Sequence, residues 1–133
     1  MSKEFTHEIK VYYEDTDAGG VVYYSNYLKF LERARTEMIN SIGLSNKKLL
    51  EEHKTFIIVK SCNIEYLSPS KLEDTLQIYS SIESFHKASF VIIQNIKKDD
   101  NLVVKAKLKL VTVNNEGKPI KIPLVLKKKL SIT

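Results

Sequence analysis

Glu14, Asp15 and Asp17 stand within four consecutive positions, Gly19 and Gly20 follow them, and a segment with helical spacing begins a few residues later. Closely spaced carboxylates repel one another and paired glycines carry a backbone entropy cost, so a loop that only connects has no evident need of both. Chemistry supplies a need. Glycines take positive φ and admit a substrate close to the backbone, and the start of a helix offers unpaired N–H groups at the positive end of its dipole. An oxygen that gains negative charge during a reaction is stabilised in such a place. A carboxylate beside it could activate water as a general base or attack a carbonyl itself. The pattern fits acyl transfer. It also fits a turn whose acids merely interact with the helix dipole, and spacing alone does not separate the two.

The elements that must position these residues can be read from periodicity. Between 26 and 42, Tyr27, Leu31, Ala34, Met38 and Ile42 recur at three- and four-residue steps and so share one helical face, opposite Lys29, Glu32, Arg33, Thr36 and Glu37. Ser25 or Asn26 is expected to cap the start, and Gly43 to end the helix in the left-handed conformation. A short second helix is expected in "SNKKLLEEH". Beyond it, "TFIIVKSCNIEYL", "DTLQIYSSIESF", "ASFVIIQNIKK" and "LVVKAKLKLVTV" are rich in β-branched and aromatic residues. Turn signals at Ser68-Pro69-Ser70, His86-Lys87, Asp99-Asp100-Asn101 and Asn114-Asn115-Glu116-Gly117 separate them. Ala106, Leu108 and Leu110 alternate with Lys105, Lys107 and Lys109, the signature of a strand with one buried face. With "FTHEIKVYY" ahead of the helix, the order is strand, long helix, then four strands. The expected architecture is α+β: one domain over 1–133, with the helix lying across an antiparallel sheet.

Composition narrows the function classes. A chain of 133 residues that is 43% hydrophobic has material for one real core. No apolar run reaches membrane-spanning length and "MSKEFTHEIK" lacks the apolar stretch of a signal peptide, so a cytoplasmic protein is expected. Cys62 is the sole cysteine, and His7, His53 and His86 are scattered, so neither a disulfide nor a metal site is implied. Cys62 itself is expected to be a small buried hydrophobe in mid-strand. The net charge of +5 comes wholly from Lys118, Lys121, Lys127, Lys128 and Lys129. A balanced body with a basic, solvated tail argues against a nucleic-acid partner, which would call for a basic stripe on the body itself.

The stretch "YYEDTDAGGVVYYSNYLKFLERARTEM", with its D-T-D-x-x-G-V-V-Y core, resembles the signature of hotdog-fold acyl-CoA thioesterases of the 4-hydroxybenzoyl-CoA thioesterase type, and especially the branch associated with the Tol-Pal envelope system of bacteria. "EYLSPSKLEDTL" and "NNEGKPIKIP" extend the likeness over nearly the whole chain. The resemblance implies a hotdog fold, a long central helix wrapped by a five-stranded antiparallel sheet. It implies hydrolysis of the thioester of short-chain or aromatic acyl-CoA, or of acyl carrier protein thioesters, without a cofactor beyond the coenzyme A of the substrate. By the same resemblance Asp17 is the catalytic acid, Gly20 the glycine before the helix, and Tyr24 the residue whose backbone N–H polarises the carbonyl. Many members of the branch carry histidine where this chain has Tyr24, which blurs the substrate more than the reaction. Asp15 is expected to be structural. Coenzyme phosphates would need cations, for which Lys60, Lys71, Lys87 and the tail lysines are candidates. A homodimer or homotetramer is implied, with active sites at subunit boundaries. A hotdog dehydratase and a non-catalytic acyl-thioester or protein-interaction module are the competing readings.

Overall fold

The computed structural model describes residues 3–131. Five strands, β1 (Glu4–Lys10), β2 (Phe56–Tyr66), β3 (Thr75–Phe85), β4 (Ser89–Lys98) and β5 (Asn101–Val113), make one antiparallel sheet in the order β1-β3-β4-β5-β2. Helix α1 (Tyr24–Ser41) lies across it; α2 (Asn46–His53) and α3 (Leu124–Leu130) are short. The side-chain parity of the strands places Leu76, Ile78 and Ile82, then Phe90, Ile92 and Ile96, then Val104, Ala106, Leu108 and Leu110 in the core. Against them α1 sets Tyr27, Phe30, Leu31, Ala34 and Met38. This is the hotdog arrangement expected above.

Gln94 and Ser80, paired across β3 and β4, put polar groups in the middle of that apolar layer. Gln94 is fully buried and fully used: its Nε2 donates to the Leu31 carbonyl at 3.1 Å and to Ser80 Oγ at 3.0 Å, and its Oε1 accepts from the Arg35 guanidinium at 3.0 Å. A satisfied buried amide of this kind fixes one seating of the helix on the sheet. Burial also lowers the pKa of the Arg35 guanidinium, against the opposing effect of Glu32.

The helix ends differ in how they were foreshadowed. At the C-terminus Gly43 takes φ +83, its N–H bonds to the Asn40 carbonyl at 3.1 Å, and the Leu44 N–H bonds to the Ile39 carbonyl at 3.2 Å, a Schellman closure. Ser45 caps α2 through a bond from the Lys48 N–H. At the start of α1, however, neither Ser25 nor Asn26 caps: the helix begins at Tyr24 after an N-cap Tyr23 that supplies no side-chain bond. Asn26 is instead turned inward to Asp15.

Two further expectations are corrected. Cys62 is exposed, in β2, which is an edge strand of the sheet. The basic tail is not merely solvated: Leu126 and Leu130, four residues apart, bury one side of α3, while Lys127, Lys128 and Lys129 stay outside. Among the described residues no helix is long and apolar enough to cross a membrane.

Candidate active site

The acidic loop folds in two parts. Tyr13–Asp15 makes a single 3-10 turn that buries Asp15. Its Oδ2 accepts from the Tyr12 N–H at 2.9 Å and its Oδ1 from Asn26 Nδ2 at 2.6 Å, while its carbonyl receives the Tyr23 N–H at 3.3 Å. Asp15 thus ties the loop to the first turn of α1. Asn26→Leu should destabilise the fold by about 2–3 kcal/mol in urea unfolding, since it leaves a buried carboxylate short of a donor. A change below about 0.5 kcal/mol would show that Asp15 is held by other means.

Asp17 closes the second part. Its N–H donates to the Val21 carbonyl at 2.8 Å, and its carbonyl accepts from the Gly20 N–H at 3.0 Å. Its carboxylate Oδ1 accepts from the N–H groups of Gly19, at 2.8 Å, and Val21, at 3.3 Å. One oxygen is therefore pinned by the turn it closes; among the described residues the other, Oδ2, has no protein donor. Gly20 makes the turn possible with φ +79, a conformation that costs a residue bearing Cβ. Open space lies where its Cβ would be, so the requirement is conformational rather than one of crowding.

Tyr24 opens α1. Among the described residues neither its N–H nor that of Ser25 meets a backbone acceptor, so both stand free at the positive end of the helix. Its ring is 69% exposed and stacks on Tyr66 of β2 with centroids 4.6 Å apart. Asp17, Tyr24 and Tyr66 line one cleft of about 600 Å³, together with Val22, Tyr27, Leu67 and Pro69. The walls are mainly apolar and aromatic; the carboxylate and the helix start supply the polarity. Burial raises the pKa of the Tyr66 phenol.

Of the residues singled out from sequence, Asp17 and Tyr24 come together on this cleft, and Gly20 shapes the loop between them. Lys71 pairs with Val21 just behind the loop, whereas Lys87 lies in the β3–β4 turn at the other end of the sheet. No histidine is among the residues lining the cleft. The aromatic wall of Tyr27 and Tyr66 was not foreseen. Its one signal was parity, since Tyr66 continues the inward set Cys62 and Ile64 of β2.

A five-stranded antiparallel sheet wrapped on a long helix is the hotdog fold. The chain belongs to the Thioesterase-like superfamily, whose model matches residues 11–130. It is 36% identical over 128 residues to the acyl-CoA thioesterase YbgC of Haemophilus influenzae, covering 96% of this chain and 94% of that one. Among solved structures it is similar to a probable thioesterase from Bartonella henselae, with TM-score 0.88 and 31% identity over 91% of this chain and 100% of that one. The 4-hydroxybenzoyl CoA thioesterase of Pseudomonas sp. strain CBS-3 shares the fold, with TM-score 0.89 over 96% and 99% of the two chains at 22% identity.

Proposed function

We propose that this chain hydrolyses the thioester bond of short-chain or aromatic acyl-CoA. The observation that carries the reading is one cleft lined by both Asp17, whose Oδ2 has no protein donor among the described residues, and Tyr24, whose N–H meets no backbone acceptor there. A thioester carbonyl placed against the helix start has its oxygen polarised by that N–H, which strengthens as the oxygen becomes anionic in the tetrahedral state. Asp17 either takes the proton of an attacking water or adds to the carbonyl carbon itself, forming an anhydride that water then opens. In both routes the C–S bond breaks, coenzyme A leaves as the thiol, and the acyl group leaves as a carboxylate. The likeness to a curated acyl-CoA thioesterase over almost the whole chain supports the reaction class.

The finer assignments rest on the same ground. The D-T-D-x-x-G-V-V-Y core over 15–23 supports membership of the Tol-Pal-associated branch and, with it, the use of coenzyme A or acyl carrier protein as carrier; a cytoplasmic location is proposed beside them. A dehydratase would need a histidine at the site, and none lines the cleft. Assay of thiol release from a panel of short aliphatic and aromatic acyl-CoA esters tests the proposal. Hydrolysis of at least one class supports it; inertness towards all, with hydration or dehydration of a hydroxyacyl-CoA, selects the dehydratase.

The active unit is an oligomer, at least a dimer. Edge strand β2 exposes Phe56, Ile58 and Val59, the last 46% accessible, beside an unpaired backbone ladder. An apolar edge of this length invites pairing with another strand. Light scattering combined with specific activity over a dilution series should show dimer and turnover falling together. A fully active monomer at every concentration would refute the assembly.

A further inference from the structure

Asp74, the last residue before β3, is not among the residues lining the cleft, yet it folds the backbone on which the Asp17 loop rests. Both oxygens of its carboxylate are engaged: Oδ2 accepts the Lys71 N–H at 2.8 Å, and Lys98 Nζ of β4 lies 2.9 Å from Oδ1. Its own N–H donates to the Lys71 carbonyl at 3.0 Å, so the side chain and main chain of one residue together close the turn 71–74. Within that turn Glu73 takes φ +69, a left-handed conformation that strains a residue bearing Cβ and persists only where its surroundings fix it.

The turn grips the acidic loop at both ends. On one side the Val11 N–H donates to the Asp74 carbonyl and the Glu73 N–H to the Val11 carbonyl, each at 2.9 Å, next to Tyr12, whose N–H holds Asp15. On the other side the Leu72 N–H donates to the Gly20 carbonyl at 3.1 Å, Lys71 pairs with Val21, and the Ser70 carbonyl accepts the Val22 N–H at 2.9 Å. Residues 20–22 link the Asp17 turn to the start of α1. All these bonds are main-chain, so they follow whatever holds the 71–74 backbone, and Asp74 is the side chain bonded to it. Without the bond from the Lys71 N–H, Glu73 can leave its strained conformation, which carries Lys71 and Leu72 away from Val21 and Gly20.

We propose that Asp74 is a positioning residue for the reaction: by accepting the Lys71 N–H it holds the turn that aims the Asp17 carboxylate against the start of α1, and turnover depends on it more than substrate binding does. The inference rests on the thioesterase reading of the cleft. A shift of about 1 Å between groups that must act on one carbonyl lowers rate on the order of a hundredfold, whereas binding, spread over the whole ligand, is less sensitive.

The test separates the hydrogen bond from the charge. Asp74→Asn keeps an acceptor for the Lys71 N–H and loses the charge, whereas Asp74→Glu keeps the charge and its reach to Lys98 but sets the carboxylate a methylene away from the Lys71 N–H. Asp74→Ala loses both, and Lys98→Met loses only the ion pair. For each variant kcat and KM are measured with butyryl-CoA and benzoyl-CoA, well below its own Tm. Asp74→Glu and Asp74→Ala should lose kcat roughly tenfold to a hundredfold with KM within about twofold, while Asp74→Asn and Lys98→Met stay within about threefold of wild type. Asp74→Glu carries the test if Asp74→Ala fails to fold. Wild-type kcat in Asp74→Glu, a loss confined to KM, or losses in Asp74→Asn and Lys98→Met as large as that in Asp74→Glu would each overturn the role. Asp17→Asn run in parallel keeps the two readings apart. If Asp17→Asn is inactive and Asp74→Glu and Asp74→Ala are as fast as wild type, only the positioning role falls; if Asp17→Asn is also as fast as wild type, the site itself is wrong.

Discussion

Asp17→Asn should leave the fold in place and lower acyl-CoA hydrolysis about 10²–10⁴-fold, the range that a positioned general base contributes. The substitution is conservative at the point where the side chain does structural work. An amide oxygen can still accept the Gly19 and Val21 N–H groups that hold Oδ1 at 2.8 Å and 3.3 Å, so the turn keeps its closing bonds. What disappears is the negative charge, and with it both the basicity and the nucleophilicity of the free oxygen. The expected result is a protein with the wild-type circular dichroism spectrum, an unfolding midpoint within a few degrees of wild type, and little turnover. Wild-type turnover in a clean preparation would remove Asp17 from the chemistry.

Gly20→Val should lose more activity than its loss of stability explains. A β-branched residue at φ +79 is strained whatever the space around it, at a cost of about 1–3 kcal/mol. The chain can relieve that strain only by re-laying the turn, and the turn is what aims Asp17: the Gly20 N–H holds the Asp17 carbonyl and the Gly20 carbonyl holds the Leu72 N–H. We expect activity to fall on the order of a hundredfold or more in protein that is still folded. Tyr24→Phe is the contrast. It keeps the backbone N–H and a ring able to stack on Tyr66, so its effect should be within a few-fold. Equal losses in Gly20→Val and Tyr24→Phe would move the role to the phenol.

Much of the framework was legible because it rests on local periodicity. The buried stripe of α1 followed from three- and four-residue spacing, and the inner face of β5 from Ala106, Leu108 and Leu110 alternating with lysines. Gly43 announced its helix end because glycine takes the left-handed conformation without the cost a Cβ brings. What was misread depended on neighbours that periodicity does not specify. Cys62 sits in a strand pattern, but whether that strand is central or at an edge depends on the order β1-β3-β4-β5-β2. Asn26 has the residue type of a cap and spends its amide on Asp15, eleven residues away. Net charge hid the pair of leucines that folds α3. The site divides in the same way. Asp17, Gly20 and Tyr24 are close in sequence and could be seen as a motif; Tyr66, Leu67 and Ser70 reach the cleft and its support only through the β2–β3 turn.

The most direct test of the account is the release of coenzyme A thiol by the purified wild-type protein from butyryl-CoA and benzoyl-CoA, with Asp17→Asn measured under the same conditions as the blank. Wild type should turn over at least one ester, with stoichiometric free carboxylate, and the blank should be lower by about two orders of magnitude or more. Thiol release that is equal in the two proteins, or absent from a correctly assembled wild type across the acyl panel, would contradict it.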